Sequence, residues 1–344
     1  MLTYSYKTIN SDFIVTEIIN LILDGGNYHY YLMRKKGYKT IDVIDKVSAE
    51  MNVDLCDISY AGLKDEDAVT FQYIAIKGTK IGNLVRKDGN REFSLSYAGS
   101  ADVPMQIGKL QGNSFRIRIR NIDLCTAQMI YENKKHSFSV INYFDIQRFG
   151  MPGLPKLSHK IGKFLLEKDY DHALMCLYES GNISLDDYSR WKNSSEEYIN
   201  QIEIRRKSFF LSAYDSFIWN RNIADIVEGN NTNTVLFNKA GIEFKYVSEI
   251  DDKMRNELKK CNIIWHRYNE NGDIFKKNSF RQPYLEVLYD ASDILPDDIN
   301  FGKNMIDIEF IVPAGVYATN VVDQIMNALE ANKFLRCSEN QNKC

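Results

Sequence analysis

Apolar and polar positions change their period twice along the chain. Up to about residue 150 the pattern predicts strands mixed with short helices. Ile14 and Val15 begin an extended segment after Asp12-Phe13, and the aromatic-rich run around 28–35 reads as a strand. Ile41, Ile44, Val47 and Met51 recur at helical spacing and predict a helix over 41–51. Ile58 and Tyr60 suggest a short strand, and 70–77 alternates as a longer one. Residues 114–121 alternate cleanly, with Phe115, Ile117 and Ile119 on one face and Arg116, Arg118 and Arg120 on the other. From about 156 to 226 the period becomes helical, with one long helix over 206–226. Residues 233–280 are mixed and polar and end near the turn signal NENGD. Strand character returns at 305–312, then Pro313-Ala314-Gly315 and a helix over about 319–331. This order predicts one α/β domain interrupted by an inserted, mostly helical one.

The 344 residues allow about two domains. Composition is that of a globular chain, 44% hydrophobic and 26% charged. No apolar run approaches the roughly 20 residues that span a bilayer, and the N-terminus lacks a signal-peptide core. The expectation is a cytoplasmic protein without a membrane partner. Cys56, Cys125, Cys176, Cys261, Cys337 and Cys344 form no C-x-x-C pair and are expected as reduced thiols. The five histidines show no H-x-x-x-H spacing, so no metal site is expected. The net charge of −3 argues mildly against nucleic-acid binding, although a neutral total can hide a basic stripe.

The segment from Ala61 to Gln72 carries the candidate chemistry: Gly62-Leu63-Lys64-Asp65, then Ala68, Thr70 and Gln72. Glycine tolerates backbone angles and close approaches that other residues do not. A loop between strands is a usual place for a catalytic carboxylate. On spacing alone the run Lys64-Asp65-Glu66-Asp67 reads either as that or as a solvated turn. Five further segments stand in order around it. They are Lys7 with Asp12-Phe13, Val15 and Glu17; Gly112-Asn113-x-Phe115; Asn142-Tyr143-Phe144 with Gln147 to Gly150; Ser212, Ser216 and Asn220; and Pro313-Ala314-Gly315-x-Tyr317-Ala318-Thr319 with Val321-Val322. The ordered set, from residue 7 to about 331, resembles the TruD-type pseudouridine synthases.

That resemblance implies an α+β pseudouridine synthase fold with a mixed, mainly antiparallel sheet. Its catalytic domain would comprise 1–155 and 281–344, its insertion 156–280, and substrate would bind in the cleft between them. It implies isomerisation of uridine to pseudouridine in RNA, tRNA foremost, without cofactor or metal. The N1–C1′ bond breaks and the base rejoins through C5. Asp65 matches the family's essential aspartate, which either adds at C1′ or takes the 2′ proton. Lys7 matches its basic partner; an attacking carboxylate must be ionised, which a neighbouring cation favours. By the same resemblance Phe13, Asn142 and Tyr317 contact the substrate, with Phe144 close by. An aromatic platform and an amide can hold a detached uracil while letting it turn.

Out of that context Phe13 and Phe144 read as core residues, Asn142 as a cap and Lys7 as a surface lysine. Arg116, Arg118 and Arg120, with Arg148, fit an RNA phosphate stripe or a plain solvent-facing surface. The sequence departs from the family pattern at Glu66 and Asp67, where a basic residue usually follows the aspartate. It also departs at 99–105, usually basic, at Tyr317, usually Phe, and in a shortened insertion between about 240 and 280. These changes remove positive charge but leave Lys7, Asp65 and Asn142. Two other functions remain open: the same isomerisation on another RNA or a small uridine nucleotide, and RNA binding without catalysis. No obligatory protein partner is evident.

Overall fold

The computed structural model describes residues 2–106, 110–230 and 234–341. The chain divides into two units. One is the segment up to Ser137 with Val287–Gly315; the other is Phe138–Glu286 with the segment from Val316 onward.

The first unit begins with β1 (Phe13–Ile18), β2 (Tyr28–Lys36), α1 (Thr40–Met51), β3 (Ile58–Tyr60) and β4 (Val69–Lys77). β5 (Leu84–Asp88), β6 (Arg91–Ala101), β7 (Gly112–Ile122) and α2 (Leu124–Glu132) follow. The second unit takes β8 (Ser137–Ile141), α3 (Ser158–Glu167), α4 (Tyr170–Glu179), α5 (Leu185–Trp191), α6 (Ser195–Gln201) and α7 (Ile204–Asn230). It continues through β9 (Val235–Lys239), β10 (Ile242–Tyr246), α8 (Asp252–Leu258), β11 (Ile263–Tyr268) and β12 (Ile274–Ser279). β13 (Tyr284–Ala291) returns the chain to the first unit for β14 (Leu295–Pro296) and β15 (Asn304–Pro313), and α9 (Ala318–Gln341) belongs to the second.

In the first unit the strand order is β5-β6-β2-β4-β1-β7-β15-β13, with β3 beside β4 and β14 beside β15. The β1–β4 pair is parallel and the other ladders are antiparallel, so the sheet is mixed and mainly antiparallel. Register aligns the sequence motifs: Glu17 on β1 faces Asn113 on β7, and Asn113 faces Val312 on β15. Gly112 is required by this packing, because a Cβ there would fall 2.5 Å from the Val312 carbonyl oxygen. Helix α1 buries Val43, Ile44 and Val47 against Tyr31, Met33, Ile74 and Phe93. Ile41, expected on that face, is 48% exposed; Val43 and Thr40 take the buried positions.

In the second unit α7 packs closely on α3. Gly162 makes that crossing possible, since a Cβ would lie 2.0 Å from the Phe210 carbonyl oxygen. Tyr143, Phe144, Phe149, Trp219, Phe244 and Tyr246 centre its core. Residues 156–280 lie wholly within this unit, and the stretch read as mixed and polar forms the hairpins β9–β10 and β11–β12 with α8 between them. Cys56, Cys125, Cys176 and Cys261 are free thiols; Cys337 and Cys344 lie outside the residues whose side chains are described. Among the described residues no helix is long and apolar enough to cross a membrane, and no group of three or more His, Cys, Asp or Glu could hold a metal ion.

Candidate active site

Asp65 lies in the loop joining β3 to β4, and that loop is shaped from three directions. Lys35 on β2 continues the inward phase of Tyr31 and Met33 and is fully buried. Its ammonium donates to three carbonyls: Tyr38 at 2.8 Å, Lys64 at 3.2 Å and Asp65 at 2.6 Å. An ammonium has three N–H groups, so the set is complete. Burial lowers the Lys35 pKa to about 8, against the pull of the Asp65, Glu66 and Asp42 carboxylates. From a second side, Gln72 donates to the Gly62 carbonyl at 3.1 Å and accepts from the Thr40 hydroxyl at 2.9 Å. That hydroxyl accepts in turn from the Lys64 N–H at 3.0 Å. From the third, the Lys64 side chain turns inward, donating to Asn113 at 2.7 Å and pairing with Glu17 at 3.1 Å. Glu17 accepts from the Tyr73 N–H at 3.1 Å. Three separate motifs thus converge on one loop.

The Asp65 side chain itself points outward, 40% exposed, and accepts from the Lys7 ammonium at 2.8 Å. Lys7 adopts φ 60°, an uncommon left-handed backbone for lysine. The bridge between Ser5 and Arg120 just upstream fixes its approach. Its ammonium also lies 4.0 Å from the centroid of the Phe13 ring. Phe13 is buried, edge-on to Phe115, which stacks on Phe310. The lysine is therefore held between a carboxylate and an aromatic face.

The second unit gathers the other predicted residues. The carboxamide of Asn142 donates to the Gln282 carbonyl at 2.8 Å and accepts from Arg281 at 2.8 Å. Arg281 also lies over the Phe144 ring, 3.8 Å from its centroid. Burial lowers the Arg281 pKa to about 10, eased by the Tyr317 hydroxyl and aggravated by Arg148. The Phe144 backbone is gripped on both sides by one side chain: its N–H donates to Asn220 at 2.9 Å and its carbonyl accepts from Asn220 at 2.8 Å. Phe144 meets Trp265 and Tyr317 edge-on, at 6.0 and 6.3 Å. Arg148 donates to the Ser216 hydroxyl at 3.2 Å, with its guanidinium 5.9 Å from the Phe144 ring centroid. Burial lowers its pKa also. Ser216 and Asn220, two residues of one helical motif, thus support Arg148 and Phe144.

A family model, tRNA pseudouridine synthase D (TruD), matches residues 4–206, more than half of the chain. The chain belongs to the TruD family. Its enzymes are isomerases that convert uridine to pseudouridine in tRNA. A probable tRNA pseudouridine synthase D 1 of Methanococcus maripaludis is 27% identical over 94% of this chain and 100% of its own length. The tRNA pseudouridine synthase D of Aquifex aeolicus is 28% identical over 63% of this chain and 64% of its own. The crystal structure of a putative tRNA pseudouridine synthase D from Methanosarcina mazei shares the fold, with a TM-score of 0.59 and 21% identity over 95% of this chain and 94% of that one.

Within this TruD chain the arginine row on β7 differs from the alternating surface expected. Arg120 has no solvent exposure: its guanidinium is surrounded by Asp12 at 2.9 Å, Asp297 at 2.8 Å and Asp298 at 2.5 Å. It holds strands and loops together and cannot reach a phosphate. Arg116 and Arg118 both grip Asp307 on β15, at 2.8 and 2.6 Å. Burial alone would raise the Asp307 pKa, but the bonds from Arg118 and Arg116 hold it below the usual range. The reason anticipated for Gly62 is also not met. A Cβ there would meet open space, and what the protein uses is its carbonyl. The roles of Lys35, Gln72, Asn220 and Arg281 are visible only in the folded chain. Lys35 carried one signal, a lysine in phase with buried residues of a strand.

Proposed function

We propose that this chain performs the TruD reaction with Asp65 as its catalytic carboxylate and Lys7 as the basic partner. The substrate is a uridine in RNA, tRNA first. The observation that carries this reading is the 2.8 Å contact between Lys7 and an outward carboxylate whose own loop carbonyl is anchored by Lys35. A nucleophile needs fixed geometry, and these contacts place the side chain against Lys7 and tie the backbone to Lys35.

In this reading Asp65 attacks C1′, or takes the 2′ proton, as the N1–C1′ bond breaks and uracil leaves with the electron pair. The base turns in place and its C5 bonds to C1′; in the first route the covalent bond to Asp65 breaks, and in the second Asp65 returns the proton to C2′. C5 then loses its proton and N1 gains one, so the reaction is an isomerisation with no net change of atoms. Asn142 and Tyr317 hold the base, with Phe144 beside them, and Phe13 contributes the face on which Lys7 rests. No cofactor or metal is required by this balance. Residues 1–155 with 281–344 would form the catalytic domain and 156–280 the insertion, in an enzyme of the cytoplasm. Exposed Arg116 and half-buried Arg118, with Arg148, remain candidates for phosphate contact.

Mass-spectrometric mapping of pseudouridine in total RNA, from cells with and without the protein, tests the assignment. Loss of one or more tRNA pseudouridines in its absence supports it. An unchanged tRNA map contradicts the tRNA assignment, and an unchanged map of all RNA contradicts RNA as substrate.

A further inference from the structure

Arg281, Gln282 and Pro283 run alongside Asn142 and make four hydrogen bonds to it. The Asn142 N–H donates to the Pro283 carbonyl at 2.8 Å, and its side-chain nitrogen to the Gln282 carbonyl at 2.8 Å. Arg281 donates to the Asn142 carbonyl at 3.2 Å and to its side-chain oxygen at 2.8 Å. The last contact decides the orientation of the carboxamide. A guanidinium can only donate, so the atom facing it must be oxygen; a peptide carbonyl can only accept, so the atom facing it must be nitrogen. With burial lowering its pKa only to about 10, Arg281 keeps its charge at neutral pH.

We propose that Arg281 is a positioning residue that locks the Asn142 carboxamide in one orientation, so that it pairs with uracil and rejects cytosine. The inference rests on Asn142 as the contact to the base. After these bonds the amide retains one N–H and one oxygen lone pair. A free carboxamide could turn over and match either base. A locked one requires a donor opposite its oxygen, which uracil supplies at N3–H and cytosine, with a bare N3, does not. The lock also suits the rearrangement. Turning detached uracil about its N3–C6 axis puts C5 where N1 was and exchanges O2 with O4. N3–H stays in place with a carbonyl on either side, so the same two hydrogen bonds re-form. The Arg281 guanidinium against the Phe144 ring ties the amide to the neighbouring aromatic.

The test is a double-mutant cycle with Arg281→Met and Asn142→Ala, using a transcript whose modified uridine has been mapped, and its cytidine counterpart as inhibitor. Arg281→Met should lower kcat about tenfold or more with KM changed less than about threefold, and the cytidine RNA should become a better inhibitor. The double variant should be no worse than Asn142→Ala alone. Arg281→Lys, still donor-only, should recover most of the loss; Arg281→Gln, which also accepts, should not. These two serve if the Met variant does not fold. Additive losses would overturn the proposal. So would a loss confined to KM with a shallower salt dependence, which marks a phosphate contact. Unchanged kcat in Asn142→Ala would overturn it together with the Asn142 assignment, while Asp65→Asn tests the reaction independently.

Discussion

Two lysines divide the work around Asp65: Lys7 meets its carboxylate, and buried Lys35 holds its backbone. Lys35 gives a pH signature of unusual sign. Its folded pKa of about 8 lies below the unfolded value of about 10.4, so between these pH values the unfolded chain binds the extra proton. Its contribution to stability therefore rises with pH across that window and is lost as pH falls through 8. Catalysis should move the other way, because a neutral amine has two N–H groups for three carbonyls and the loop loses a tie. We expect kcat to fall with an apparent pKa near 8 while melting temperature does not fall with it. Lys35→Met should lack this alkaline limb; a limb that persists in the variant would exclude Lys35 as its source. Tyr317 allows a second prediction. Tyr317→Phe should keep most activity, whereas Tyr317→Ala should lose the roughly 1–3 kcal/mol that base stacking provides. Equal activity of the two variants would remove the ring from the substrate contacts. At this scale Lys7 and Asp65 stand in motifs along the sequence, whereas Arg281 stands in none. Its partner Asn142 is 139 positions away, and only the folded chain places donor against acceptor.

Helix and strand elements were legible where one period persisted. The alternation at 114–121 became β7, and the helical repeats near 160–180 and 206–226 became α3, α4 and α7. β5 and β6 were not legible, because charges such as Arg86, Lys87 and Glu92 interrupt the apolar run on their exposed side. The same limit explains Arg120. On alternation it belongs with Arg116 and Arg118, yet carboxylates from Asp12 and the Asp297-Asp298 loop cover it. Removing one partner of a buried ion cluster strands the others, so Arg120→Met should destabilise the fold by roughly 3–5 kcal/mol. Denaturant unfolding would show it; a change below about 1 kcal/mol would mean the cluster contributes little net energy. Gly162→Ala should cost roughly 1–3 kcal/mol by pushing α3 off α7, read in the same experiment.

For the molecule as a whole, 43 basic residues are outnumbered by 46 acidic ones, a net charge of −3. Arg120 is buried, Arg116 and Arg118 share Asp307, and Glu66 and Asp67 follow Asp65. Affinity for tRNA should therefore fall with salt by the slope of a few phosphates, each worth about 0.7–0.9 log units. A steep slope lost in Arg116→Ala/Arg118→Ala would instead show that Asp307 releases both arginines to the RNA. The proposed reaction depends on Asp65. Bond formation at C5 expels the C5 hydrogen, so tRNA carrying tritium there releases label once per isomerisation. Wild-type protein should release it. Asp65→Asn, of nearly identical shape, should bind the same tRNA comparably and release label at least about a thousandfold more slowly. Release by Asp65→Asn within about tenfold of wild type would contradict the assignment of Asp65.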